Sequence, residues 1–388
     1  MAPDRRDLQL NALLGITQAI NNNLKEADLF RIYKFTLLGD LKVKKMALFV
    51  LSDDKWEHRV DFGTKGKWTS FKMDDRFDHL ISDKQLISDK DFEEFKWVIP
   101  ILHKEKMLGL LFLDDELVDH TFVKALTNII IVAIENKRMA RERSAQEAFQ
   151  REMEIAKKVQ NFLFPTSLPN TERLKIQATY LPHHSVGGDY YDYIRISESK
   201  FLVCVADVSG KGVPAALLMS NFQATMKVLV HRTTDLKEIV GELNKATFES
   251  GNAENFITFF LGIYDFDEKS FEYINCGHNP LYLIRNKELE KLTKGTTVLG
   301  MFDPLPFIES DKITNLSEFI FFGYTDGLTE TFNEEDEQFG EERMEQMIKN
   351  ADDLSYLHNV MMQELTAFKG RNAFADDITI LSCRVKNV

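Results

Sequence analysis

Apolar positions in this chain follow two rhythms, one recurring every three or four residues and one running almost unbroken over short stretches, and their alternation lays out the elements. Leu10, Leu13, Leu14, Thr17 and Ile20 share one helical face. After an Asn-rich break, Leu29, Ile32, Phe35 and Thr36 resume it, so residues 7–40 are expected to be helical. Strand-like runs follow at 47–51, 56–62, 97–102 and 107–113, and a helix over 121–136 closes the region. Helix, sheet, helix in that order predicts an α+β domain over residues 1–136.

Residues 137–164 contain no Gly or Pro, and Ala145, Ala148, Phe149, Met153, Ala156, Val159 and Leu163 keep a three-four spacing. A helical linker continuous with the preceding helix is expected, with a seam that offers a homodimer contact. Pro165 and Pro169 end it, and a second domain runs over 165–388. Its strand patterns lie near 174–180, 190–196, 201–206, 256–264, 270–275, 281–285, 317–323 and 378–385; helices are expected at 214–231, 235–249, 340–350 and 352–368. Two runs of strands around a pair of helices predict largely antiparallel sheets with helices outside.

The second domain is organised around residues 201–219. A run apolar at nearly every position reads as a strand buried on both faces; it delivers Asp207 to the turn Ser209-Gly-Lys-Gly before Pro214 opens a helix. Phe319 to Gly327 repeats the construction and ends at Asp326, Asp376 and Asp377 stand just before a strand, and paired glycines precede Asp189. Each acid alone is ordinary turn or cap chemistry. Four acidic strand ends brought together would repel one another and raise each other's pKa, and hard divalent cations held by carboxylate and carbonyl oxygens would relieve this.

Composition narrows the classes. Charged residues at 28% and hydrophobic residues at 44% of 388 are ordinary for a soluble globular protein, and a formal net charge of -13 argues against nucleic-acid or anionic-membrane partners. Cys204, Cys276 and Cys383 sit in or beside strand patterns without close-spaced partners, as small core side chains in a reducing compartment would. No stretch of about 20 apolar residues is evident and the N-terminus lacks a signal-peptide order, so a cytoplasmic location is expected.

Five motifs then carry a resemblance: Val-Gly-Gly-Asp189-Tyr-Tyr-Asp, Ala-Asp207-Val-Ser-Gly-Lys-Gly-Val-Pro-Ala-Ala, Cys-Gly277-His278-Asn-Pro280, Tyr-Thr-Asp326-Gly-Leu-Thr-Glu330 and Asp376-Asp377-Ile-Thr. In this order they resemble bacterial PPM-type (type 2C-like) serine/threonine phosphatases, in the SpoIIE/RsbU branch, and residues 154–165 resemble the helix that precedes that domain. The first region, by layout, resembles a GAF sensory domain, open to a small-molecule or protein signal. The resemblance implies an α-β-β-α sandwich with two Mn²⁺ or Mg²⁺ ions. Asp207 would bridge both, the Val208 carbonyl would bind one, Asp326 and Asp376 the other, and Asp189 would help directly or through water. Asp377 is the second choice for the place of Asp376. Catalysis would run through a bridging water activated between the ions, with Asp207 and Asp326 as the acids on which it depends. The implied substrate is a phosphorylated STAS-type anti-anti-sigma protein in a partner-switching pathway.

Other signals are weaker. The Ser209-Gly-Lys-Gly turn lacks the spacing of a nucleotide phosphate loop. His278 reads as a structural histidine before a proton donor, Lys211 as a phosphate contact or a solvated side chain, and the acidic run Glu334 to Glu337 as a solvated loop. Two rival functions stand beside the phosphatase: a ligand-sensing scaffold or pseudophosphatase, against which the intact acids argue, and a metal-dependent hydrolase of small phosphoesters.

Overall fold

The computed structural model describes residues 5–52, 55–65, 94–104, 106–114, 118–251, 255–351 and 353–386. The chain divides into two compact units, Met1–Ala148 and Phe149–Val388.

The N-terminal unit begins with helices α1 (Arg5–Asn21) and α2 (Glu26–Phe35), the latter running into a π-helical turn at Thr36–Asp40. Strands β1 (Met46–Ser52), β2 (Lys55–Phe62), β3 (Trp97–His103) and β4 (Lys106–Leu113) form an antiparallel sheet of order β2-β1-β4-β3. Glu105, between β3 and β4, lies outside the described residues. Alternation along β1 sends Met46 and Leu48 to a core shared with Ile16, Leu29, Tyr33, Val123 and Ile130, while Ala47 and Phe49 join Phe95 and Phe112 on the other face. Helix α3 is continuous over His120–Asn161, as the absence of Gly and Pro predicts.

The second unit holds β5 (Leu174–Leu181), β6 (Tyr190–Arg195), β7 (Lys200–Val208), α4 (Val213–Arg232), α5 (Leu236–Gly251), β8 (Ile257–Asp265), β9 (Ser270–Cys276), β10 (Leu281–Arg285), β11 (Glu288–Leu292), β12 (Gly295–Thr296), β13 (Asp311–Ile313), β14 (Glu318–Tyr324), a single turn α6 (Asp326–Thr329), α7 (Glu341–Lys349), α8 (Leu354–Lys369) and β15 (Ile378–Lys386). One sheet has the order β11-β10-β14-β15-β5, the other β12-β9-β8-β7-β6 with β13 on β9. Apart from the short β12–β9 pair, the pairings are antiparallel.

Strand β7 explains the architecture. Phe201, Val203 and Val205 enter the core between the two sheets, where Phe260, Phe319 and Phe321 meet them. Leu202, Cys204 and Ala206 point the other way, into a core with Met219, Phe222 and Met226 of α4 and Ile239 and Leu243 of α5. Both faces are buried, so the run is apolar at every position. On the far side α8 packs on β5 and β15, completing an α-β-β-α sandwich. The three cysteines are free and buried in these cores.

Three short strands were absent from the sequence reading. β11 is Glu-Leu-Glu-Lys-Leu, a polar edge strand, and β12 and β13 span two and three residues, too few for a period to emerge. One expectation is corrected. Among the described residues, α4 is long and apolar enough on composition to cross a membrane, although no such stretch was evident from the sequence. Ala215, Met219, Phe222, Met226, Leu229 and Val230 are buried along it, the pattern of a core helix.

Candidate active site

The parity that sends Val203 and Val205 between the sheets also aims Asp207, two residues on, at the end of the inter-sheet space. Neighbouring strands bring the other acids there. β15 pairs with β14 up to Tyr324–Ile380, which sets Asp326, the first residue of α6, beside the segment that carries Asp376 and Asp377.

Asp189 is 1% exposed and held by two fully buried threonines. Thr325 Oγ1 and Thr379 Oγ1 both donate to its Oδ2, at 2.7 and 2.6 Å, and Thr379 N–H donates to Thr325 Oγ1 at 2.9 Å. Asp189 and Asp207 stand within reach of each other's charge, and two buried carboxylates so placed need a proton or a cation to offset their repulsion. Burial pushes the Asp189 carboxyl well above its usual range, with repulsion from Asp207 and Asp377 adding to it. Asp207 is pushed up to about 7, first by burial and then by Asp326, Asp376 and Asp377. Asp326 rises through burial, Glu330 and Asp376.

The adjacent acids Asp376 and Asp377 have different tasks. Asp377 is buried and accepts from His183 N–H and Gly188 N–H, both at 2.7 Å, so both of its oxygens are engaged in fixing the loop before Asp189. The Asp376 side chain is 42% exposed, with Lys211 Nζ 2.8 Å from its Oδ2. Lys211 also donates to the Ala375 carbonyl at 2.7 Å, so its ammonium is engaged at both partners while its side chain stays 48% exposed.

The loop reaches this position because residues 187 and 188 lack side chains. A Cβ on Gly187 would lie 2.2 Å from Asp377 Oδ2, and one on Gly188 would lie 2.8 Å from the Val208 carbonyl oxygen. Gln160, in the last turn of α3 and 5% exposed, closes the loop from the other side: its Nε2 donates to Gly187 O at 2.7 Å, and Gly187 N–H donates to its Oε1 at 3.2 Å.

His278 is structural. Its Nδ1 lies 2.8 Å from Thr258 Oγ1 and its Nε2 3.0 Å from Tyr324 O, and burial lowers its pKa to about 4, so it is neutral. The acidic run is a loop folded around Asn333, whose Oδ1 accepts from Glu335 N–H and Glu337 N–H, while Glu334 accepts from Arg371 N–H. Sequence reasoning missed Thr325, Thr379 and Gln160. The threonines lie inside the quoted motifs beside the acids, and Gln160 in the helix before them, yet a neutral side chain amid stronger signals gave no reason to single it out.

The donor set fits hard divalent cations. It is all oxygen, it gathers more carboxyls than the nearby cation Lys211 offsets, and burial together with repulsion from Asp207 and Asp377 disfavours the charged form of Asp189, which a cation would relieve. Among the described residues, no group of three or more His, Cys, Asp and Glu side chains is already closed to metal-binding distances.

The fold is that of the PP2C-type phosphatases: the SiaA-PP2C domain of Pseudomonas aeruginosa superposes with a TM-score of 0.56 at 22% identity, covering 62% of this chain and 99% of that domain. Residues 197–386 match the profile of the family described as Stage II sporulation protein E (SpoIIE). The chain is 32% identical over 190 residues to the phosphoserine phosphatase RsbU of Bacillus subtilis, covering 48% of this chain and 56% of RsbU. It is 28% identical over 261 residues to Protein IcfG of Synechocystis sp., covering 60% of this chain and 41% of IcfG. Residues 197–386 of the second unit thus match the SpoIIE family model on the fold of the PP2C-type phosphatases. The chain spans about half the length of the curated relatives it matches.

Proposed function

We propose that this chain is a Mn²⁺- or Mg²⁺-dependent protein serine/threonine phosphatase acting in bacterial signalling. The observation that carries the reading is the position of Asp207, which shares the end of the paired sheets with Asp189 and is repelled there by Asp326, Asp376 and Asp377. Two relatives that bear the name phosphoserine phosphatase, RsbU and RsbP, support it.

Asp207, with acids around it, would be shared by two cations; the Val208 carbonyl would serve one of them, Asp326 and Asp376 the other, and Asp189 would help hold that second ion, directly or through water. When bound, the cations would lower the pKa of water toward neutrality and offset charge on the phosphoryl oxygens. The protein's own part is positional. Thr325 and Thr379 fix one Asp189 oxygen and leave the carboxyl turned to Asp207. Asp377 holds the loop and takes no part as a ligand. Lys211 would give up Asp376 as positive charge arrives and remain near the rim, tethered to Ala375. No protein nucleophile is required.

The substrate we assign is a phosphoserine or phosphothreonine on a STAS-type anti-anti-sigma protein, whose dephosphorylation would trigger partner switching. The N-terminal unit, GAF-like in its layout, would receive a small-molecule or protein signal. The linker would form a homodimer seam: Phe149, Ile155 and Val159 are exposed along its part of α3, and Phe162 in the turn just beyond. The reading places the protein in the cytoplasm. The test is phosphate release from a phosphoserine protein beside an aryl phosphate, with Mn²⁺ and with chelator. Faster turnover of the phosphoprotein upholds the assignment, and equal or faster turnover of the small ester replaces it with a phosphoester hydrolase.

A further inference from the structure

We propose that a cationic cleft at the opposite end of the five-stranded sheet binds a polyphosphate-bearing anion. The cleft holds about 410 Å³ and lies among the β10–β11 turn, the start of β14, the end of β15 and the residues that end α7. Strand register explains it. Ile284, Ile320 and Arg384 stand side by side on adjacent strands and share a face of the sheet. Further along the same face the helices cover it: Tyr282 OH donates to Glu345 of α7 at 2.8 Å, and Ser382 Oγ lies 2.7 Å from His358 Nε2 of α8. Helix α7 stops at Lys349, and beyond it Ile320 and Arg384 are only half-buried.

Charge is sorted here against the trend of the chain. Arg285, Lys287, Lys349, Arg384 and Lys386 line the cleft with a single acid, Glu318, in a chain whose net charge is -13. Glu318 is taken by Lys386 at 3.1 Å. Among the described residues the other four cations have no ion pair within 4.0 Å: Glu288 faces Arg285 in the hairpin register without reaching it, and Glu345, one turn before Lys349, is engaged by Lys291 at 3.1 Å and by Tyr282. The turn adds a second observation. Asn286 and Lys287 have φ of 54° and 64°, the two-residue hairpin turn in which glycine is the ordinary second residue. The chain accepts a strained backbone at Lys287 and keeps a cation at the mouth of the cleft.

Two guanidinium groups match the oxygens of a phosphate in bidentate fashion, lysines meet further phosphates as point charges, and Ile284, Ile320 and Ala351 supply an apolar floor. The volume falls in the range of small-molecule sites. Nucleotides and inorganic polyphosphate share this chemistry. The nine residues of β15 separate the cleft from Asp377 by roughly 25 Å, so the site stands apart from the phosphatase reading.

The test is calorimetric titration of the full chain in chelator, which removes metal-bridged binding at the acids, with tripolyphosphate, ATP and a polyglutamate peptide as probes. Binding of tripolyphosphate and ATP that weakens with salt is expected. ATP binding more tightly would identify nucleotides as the source, and equal binding the phosphate chain alone. Lys287→Gly, which relieves the turn, should melt no lower than the wild type yet bind at least tenfold more weakly, and Arg285→Glu should weaken binding further. The proposal is overturned if neither phosphate probe binds at millimolar concentration, if both variants bind as the wild type does, or if polyglutamate binds more tightly than tripolyphosphate.

Discussion

Gln160 and Gly187 are joined by two hydrogen bonds, one in each direction, so the last turn of α3 and the loop that carries Asp189 move as one piece. A change in the helix end would be felt first at Asp189, two residues beyond the clamp. Gln160→Ala leaves a buried carbonyl and a buried N–H without partners, a loss of about 1 to 3 kcal/mol. The Mn²⁺ concentration for half-maximal phosphatase activity should rise about tenfold or more, since ~1.4 kcal/mol is a factor of ten. A metal titration of the variant checks this; an unchanged midpoint would mean that the clamp does not position the acid.

The neighbours Asp376 and Asp377 should separate cleanly by mutation. Asp377→Ala strands the N–H groups of His183 and Gly188 and should destabilise the metal-free protein by about 2 to 4 kcal/mol. Asp376→Ala removes a half-exposed contact with Lys211 and the 2.9 Å bond that its Oδ1 accepts from Asp377 N–H, and should cost about 1 kcal/mol, less than Asp377→Ala, while abolishing metal-dependent turnover. Denaturant unfolding in chelator, set beside activity with Mn²⁺, reads both.

Asp207 gives the metal-free protein an inverted pH response. Its folded carboxyl keeps a proton up to about pH 7, against an ordinary 3.8, so between those values the folded state binds more protons than the unfolded. Its contribution to stability therefore grows as pH falls from 7 toward 4 and is lost as pH rises through 7. Asp207→Asn should remove that slope and stabilise the chelated protein by about 2 kcal/mol near pH 8. Thermal melts of wild type and variant across this window test the sign.

His358 acts in the opposite sense. It bridges Thr179 Oγ1 and Ser382 Oγ at 2.8 and 2.7 Å, and burial lowers its pKa from 6.5 to about 4. The unfolded chain takes up its proton first, so this contribution is intact above pH 6.5 and is lost as pH falls toward 4, by up to about 3 kcal/mol. His358→Gln should flatten the acid limb; the check is the wild-type-minus-variant difference at each pH, because Asp207 opposes it.

Much of this was legible because the sandwich buries both faces of its central strands. The run through Phe201 to Ala206 could only be a doubly covered strand, and acids at the ends of such strands stand out against apolar neighbours. Edge strands such as Glu288–Leu292 could not be read, since a strand with one polar face and one partner keeps little pattern. The Asp376 and Asp377 pair marks the limit at the site. Two identical residues in succession are told apart only by which one meets the N–H groups of residues 183 and 188, a contact set by a loop nearly two hundred positions away in sequence. Gln160 was hidden for the same reason: its role lies in a partner, not in a pattern.

The most direct measurement is phosphate release from a phosphoserine protein by the wild type, Asp207→Asn and Asp326→Asn, each with Mn²⁺ and with chelator, and each confirmed folded by its melt. Turnover that requires Mn²⁺ and falls at least a hundredfold in both variants, with melts at or above that of the wild type in chelator, is the predicted result. Turnover that survives chelation, or persists in either folded variant, would contradict the two-cation account.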